Sequence, residues 1–106
     1  MKDNKKPRDS QGLKHGLWVD YYKNGQLKSS DRYVHGVKDG ICEYYYANGQ
    51  LWYRFNYIHG NHHGLCVEYR DDDSLCYGGR YDRGKRVGYW IWYNVDGSID
   101  KKEYFI

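Results

Sequence analysis

From Leu17 the chain reads L-W-V-D-Y-Y, breaks at K-N-G, and resumes as L-K-S-S-D-R-Y up to Tyr33. In both runs apolar and polar residues interleave, so that successive side chains face opposite ways, as in half-buried strands. Asn-Gly between two such runs is the strongest short-range hairpin signal. A three-residue loop with Gly25 left-handed pairs Tyr22 with Gln26. That register sets Tyr21 opposite Leu27, Val19 opposite Ser29 and Leu17 opposite Asp31. The side holding these residues is the expected packing face.

The pattern then repeats. "YYKNGQL" at 21–27 returns as "YYANGQL" at 45–51, and "YRDDDSL" at 69–75 and "YNVDGSI" at 93–99 keep the same phase. Gly12, Gly36, Gly60 and Gly84 share a 24-residue grid, as do Gly16, Gly40, Gly64 and Gly88. A fixed period of this length signals an array of one supersecondary unit. Four units follow, 12–35, 36–59, 60–83 and 84–106, behind a polar leader at 1–11 that is expected to be disordered. The fold class is all-β: one elongated, twisted antiparallel sheet of four tandem hairpins, about eight strands, in which each unit contacts mainly its neighbours. In unit three Asp73 takes the glycine's place and is expected at positive φ, which Asp tolerates better than most residues.

The same register continues in the later units. It pairs Glu43 with Tyr53, Ile41 with Phe55, Val67 with Tyr77 and Leu65 with Gly79 on the packing face. The other face sets Asp20 opposite Lys28, Tyr44 opposite Trp52, and Trp92 opposite Asp100, with Lys102 beside Trp90. This second face is expected to carry large exposed aromatics.

Composition supports strands: 14 Tyr and 4 Trp stand in a chain of 106 residues, and the single Pro precedes the repeats. The net charge is +3, but the leader supplies +2 of it, with four basic and two acidic residues. A repeat region of 13 basic and 12 acidic residues lacks the basic stripe that nucleic acid requires, and the same balance disfavours a membrane surface. Three cysteines without a C-x-x-C pair, and no apolar leader segment, point to a reduced, cytoplasmic setting.

The motif G-x-x-x-G-x-W-x-x-Y-Y-x-N-G-Q-L-x5-Y resembles the MORN repeat in its bacterial and viral variant form. Units one and two carry it as "GLKHGLWVDYYKNGQLKSSDRY" and "GVKDGICEYYYANGQLWYRFNY". Unit three departs with "DDDSL", and Cys42 and Cys66 replace the Trp of units one and four. The resemblance implies a β-sheet array used for protein contact, homodimerisation or scaffolding. Lipid association is proposed for some members, and many bacterial relatives are labelled antitoxins. It supplies no catalytic residues.

The chemistry in the chain is sparse. His15, His62 and His63 read as solvated turn histidines, since equivalent positions in adjacent units lie about 10 Å apart, too far for shared ligation. The same spacing keeps Cys42 and Cys66 beyond disulfide reach. Asp71, Asp72 and Asp73 lack the spaced oxygens of a calcium loop. No nucleophile elbow, phosphate loop or dinucleotide fingerprint is present, so no enzyme, cofactor or metal is expected. The expectation is a non-catalytic module that neutralises or scaffolds a protein partner, in the manner of an antitoxin or a viral inhibitor of a host factor. Its expected anchors are Trp18, Tyr22, Tyr44, Tyr46, Trp52, Trp90 and Trp92, with Asp71–Asp73 as an acidic rim. The apolar end at Ile99, Tyr104, Phe105 and Ile106 is expected to form a homodimer edge. The alternative is lipid-headgroup association, and a choline or carbohydrate module ranks third.

Overall fold

The computed structural model describes residues 6–106. They form one antiparallel sheet and, among the described residues, no helix. The strands are β1 Gly16–Tyr21, β2 Leu27–Val34, β3 Val37–Lys38, β4 Gly40–Tyr45, β5 Leu51–Ile58, β6 Asn61–His62, β7 Gly64–Tyr69, β8 Leu75–Asp82, β9 Lys85–Tyr93 and β10 Ile99–Phe105. Eight of them follow one another across the sheet in chain order, while the two-residue β3 and β6 extend the partners of β2 and β5. The slab measures 46 × 35 × 10 Å, which is a single layer.

Two kinds of turn alternate along its two edges. The N-G loops close as expected: Tyr22 N donates to Gln26 O at 2.8 Å, and Gly25 N to Tyr22 O at 3.0 Å. Gly25, Gly49, Asp73 and Gly97 are all left-handed in these loops, with Asp73 at φ 72°. At the opposite edge, His35-Gly36, His59-Gly60 and Arg83-Gly84 form two-residue turns with both φ values positive. That is the turn whose twist matches the flanking strands.

The register beyond the N-G loops differs from the expected one. Tyr21 pairs with Leu27, but the next pair is Asp20 with Ser29, leaving Lys28 as an extra residue. The same bulge recurs in every unit, at Trp52, Cys76 and Asp100. A bulge of this type sets two residues against one and flips every later side chain relative to its partner. Val19 therefore faces Ser30 and Leu17 faces Arg32, Glu43 faces Arg54, and Ile41 faces Asn56. Val67 faces Gly78 and Leu65 faces Arg80, while Trp92 faces Lys101, Trp90 faces Glu103 and Lys102 faces Ile91.

The first strand of each hairpin therefore presents the opposite face from the one expected, while Ser29, Asp31, Tyr53, Phe55, Tyr77 and Gly79 lie on the packed face as expected. Trp90, Cys42 and Cys66 are the buried apolar residues, with Trp90 only 1% exposed, and Ser29 and Asp31 are buried beside them. The row expected to be packed, Leu17, Ile41 and Leu65, stands exposed. The tryptophan face is thus the packed one, and the aliphatic face is open.

Of the leader, residues 1–5 lie outside the described residues, and residues 6–11 fold back as a short hairpin. Asp9 N donates to Leu13 O, His15 N donates to Pro7 O, and Arg8 bridges Lys14. Lys6 caps the edge carbonyl of Val19 at 2.9 Å and pairs with Asp20 at 2.6 Å. This turn forms because Gly12 supplies the left-handed residue and Trp18 Nε1 donates to Pro7 O.

Candidate functional site

On the packed face, aromatic rings lie in a nearly continuous field. Tyr44 stacks on Tyr53 at 4.7 Å, Trp52 on Tyr46 at 5.1 Å, and His62 on Tyr81 at 4.6 Å. Lys14, Lys38, His62 and Arg86 occupy one column of the 24-residue grid, and each rests on these rings. The column is visible in the sequence as K-K-H-R, but its role needed the bulged register to be seen. Asp31 lies under this field, accepting from the Tyr44 hydroxyl at 3.1 Å, with the Lys38 ammonium 3.9 Å from its other oxygen.

The expected anchors divide into four groups. Trp90 is enclosed: its ring sits over Gly79, where a Cβ would come within 2.2 Å, and Nε1 donates to Arg80 O. Tyr22 and Tyr46 are fasteners between units. Their hydroxyls donate to Tyr45 O and Tyr69 O at 2.7 and 2.8 Å, and Arg70 replaces them in unit three by donating to Tyr93 O at 2.6 Å. Tyr44 is held by Asp31, and Trp18 is covered by Lys6, Arg8 and Lys14. Trp52, 36% exposed, and the half-buried Trp92 remain at the surface of this face. Asp71, Asp72 and Asp73 form the tip of their loop, where Asp72 Oδ1 accepts from Ser74 N. Trp18 is far along the array from Trp92, so the named anchors do not form one patch.

Sequence reasoning missed the open face. Leu17, Ile41, Leu65 and Tyr89 stand 24 apart and are all exposed, Leu65 at 67%. Around Gly78, where the side chain is missing, lies a groove of about 580 Å³ walled by Leu65, Val67, Val87, Tyr89 and Ile91. Arg54 and Arg80 stand at its rim, Arg54 paired with Glu43 at 2.6 Å. That column was the available signal, and Leu17, Ile41 and Leu65 in it were read as packed.

Reactive chemistry is weak throughout. Burial pushes the Cys42 and Cys66 thiols up to about 11, so both are protonated at neutral pH and poor nucleophiles. Burial likewise raises the phenol of Tyr57 to about 12 and those of Tyr44 and Tyr77 further, with Asp31 and Glu68 adding to the respective effects. These groups hold structure together rather than move protons.

With hairpins, glycine columns and turn geometry in place, one comparison decides the family: the model described as "MORN repeat variant" matches residues 14–35 and 38–59. Units one and two are MORN repeats by this match. Units three and four continue the two matched MORN repeats in the same sheet with the same bulge. MORN repeats are non-enzymatic modules that bind proteins and membranes. No curated protein matches the chain. Among solved structures it is similar to a mutant of S. aureus TarM in complex with fondaparinux, alpha-GlcNAc-glycerol and UDP, at 17% identity and TM-score 0.48. A second TarM structure is 18% identical with TM-score 0.47. These cover 85% and 84% of this chain but 18% of either TarM chain, and likeness at that level carries no argument.

Proposed function

We propose that the protein is a non-catalytic binding module whose open aliphatic face takes up a partner protein, neutralising or scaffolding it as an antitoxin or a viral inhibitor would. The supporting observation is the uncovered row Leu17, Ile41, Leu65 and Tyr89 beside the Gly78 groove. Arg32, Asn56 and Arg80 separate the members of the row, but at the groove Leu65, Val67, Val87, Tyr89 and Ile91 form one apolar wall with arginines beside it, as interaction sites do. The arginines at the rim suit a partner segment that is apolar with acidic flanks. Trp52 and the Asp71–Asp73 tip lie outside this groove and form a second, smaller contact candidate.

Affinity capture from the native host, followed by substitution, tests the reading. Leu65→Asp with Tyr89→Ser is expected to abolish partner recovery, while Trp52→Ala retains most of it. Partner recovery that survives the double substitution but fails in Trp52→Ala moves the site to the aromatic face. Flotation with anionic liposomes and no stoichiometric protein partner supports lipid-headgroup association instead and sinks the proposal.

A further inference from the structure

Unit one differs from its successors where the folded leader meets the first two-residue turn. In units one and three a histidine at the start of the unit accepts the N–H of the left-handed turn residue. His35 N donates to His15 Nδ1 at 3.1 Å, and Arg83 N to His63 Nδ1 at 3.2 Å. Only in unit one does a third group arrive from outside the repeat. Asp9 Oδ1 accepts from Gln11 N and Leu13 N, each at 2.9 Å, and its Oδ2 lies 2.6 Å from His35 Nδ1. The Asp9 side chain is more than nine-tenths buried, whereas the His35 ring is two-thirds exposed. The His15 and His35 rings stack with centroids 4.5 Å apart. One ligand atom from each of the three residues lies within 4.8 Å of the others.

We propose that Asp9, His15 and His35 form a site for a divalent transition-metal ion such as zinc, which fastens the leader to the first turn. Two imidazole nitrogens and one carboxylate oxygen are a donor set that zinc accepts, with water completing the four. In a tetrahedral set with bonds of ~2.0–2.1 Å, ligand atoms stand about 3.3 Å apart. The ion takes the place of the proton shared by Asp9 Oδ2 and His35 Nδ1, and their 2.6 Å contact opens to admit it. The exposed His35 ring makes that movement. Asp9 stays fixed by its two backbone N–H groups, the kind of outer support that orients a ligating carboxylate. His15 exchanges the His35 N–H for the ion, and water satisfies that N–H at the exposed turn. The displaced hydrogen is taken by His35 Nε2, so the neutral ring changes tautomer as the ion binds.

The other units do not converge in this way. His59 lies 3.7 Å from Asp39, and His63 lies 3.6 Å from Asp82, without a third ligand within reach among the described residues. One ion per chain is expected.

Titration of zinc chloride into the reduced, full-length protein at neutral pH, in competition with a chromophoric chelator, tests the site. Saturable one-to-one binding is expected, together with a rise in melting temperature at saturating zinc. Asp9→Asn leaves an oxygen for the two turn hydrogen bonds but removes the charge. It and His35→Ala are each expected to weaken binding by about tenfold or more, while His59→Ala leaves it unchanged. Imidazole NMR signals of the wild-type protein identify the ligands without reliance on any variant's folding: His15 and His35 should shift. Absence of saturable binding overturns the proposal. So does binding indifferent to both substitutions, or imidazole shifts confined to His62 and His63.

Discussion

At Gly79 the size of one residue is set by the ring of another, since an added Cβ would stand 2.2 Å from Trp90. Gly79→Ala should destabilise the fold by roughly 1–3 kcal/mol, the usual range for overpacking. Combined with Trp90→Leu, the same alanine should cost little beyond the tryptophan substitution alone, and urea midpoints of the three variants show whether it does. Asp73 offers the opposite change. It sits at φ 72° in a column otherwise filled by glycine, so Asp73→Gly should stabilise by about 1 kcal/mol, read from the same urea curves. Asp73 was legible in the sequence because its column named the conformation. His35, His59 and Arg83, at φ 46°, 49° and 50°, were not, because the residue before the turn glycine varies and carries no shared signature.

The strands show where pattern reading stops. Periodicity located every hairpin and the loops closed as the Asn-Gly signal implied, but the bulge two residues beyond each loop inserts one residue without a sequence mark. Lys28, Trp52, Cys76 and Asp100 have nothing in common, and the face assignment turned on them. Two predictions belong to this scale. Tyr46→Phe removes the hydroxyl that donates to Tyr69 O and should cost ~0.5–1.5 kcal/mol, checked by chemical denaturation. The second concerns His62, whose imidazole is held below its ordinary value by burial first and by Lys38 second. The folded state then disfavours the imidazolium, and the unfolded chain binds the proton more readily. Stability should fall as pH drops below about 6.5, the ordinary histidine value, until the lowered folded value is passed. His62→Gln should flatten that part of a stability–pH profile, and an unchanged profile would refute the assignment.

As a whole the molecule is a slab 10 Å thick, so its packed side is protected only by its own aromatic rings and the cations lying on them. The outer edge at β10 is flanked by exposed Ile99 and Tyr104, but its middle reads Asp100-Lys101-Lys102-Glu103, a charged run that blunts strand pairing. Association through that edge remains our proposal for a homodimer, and Tyr104→Lys should shift light-scattering mass to the monomer if it holds. The fastening between units has a consequence for the order in which they can be written. Tyr22 and Tyr46 each reach forward to the next unit, Arg70 does the same, and Asn94 in that column spends its amide on Ser98 of its own loop. The array therefore has a reading direction, with sentences that can be lengthened in the middle and a word that works as a full stop. A second copy of unit two inserted after the first would both take and give a fastening, whereas unit four moved inward would leave the following unit joined by its strand ladder without that side-chain fastening.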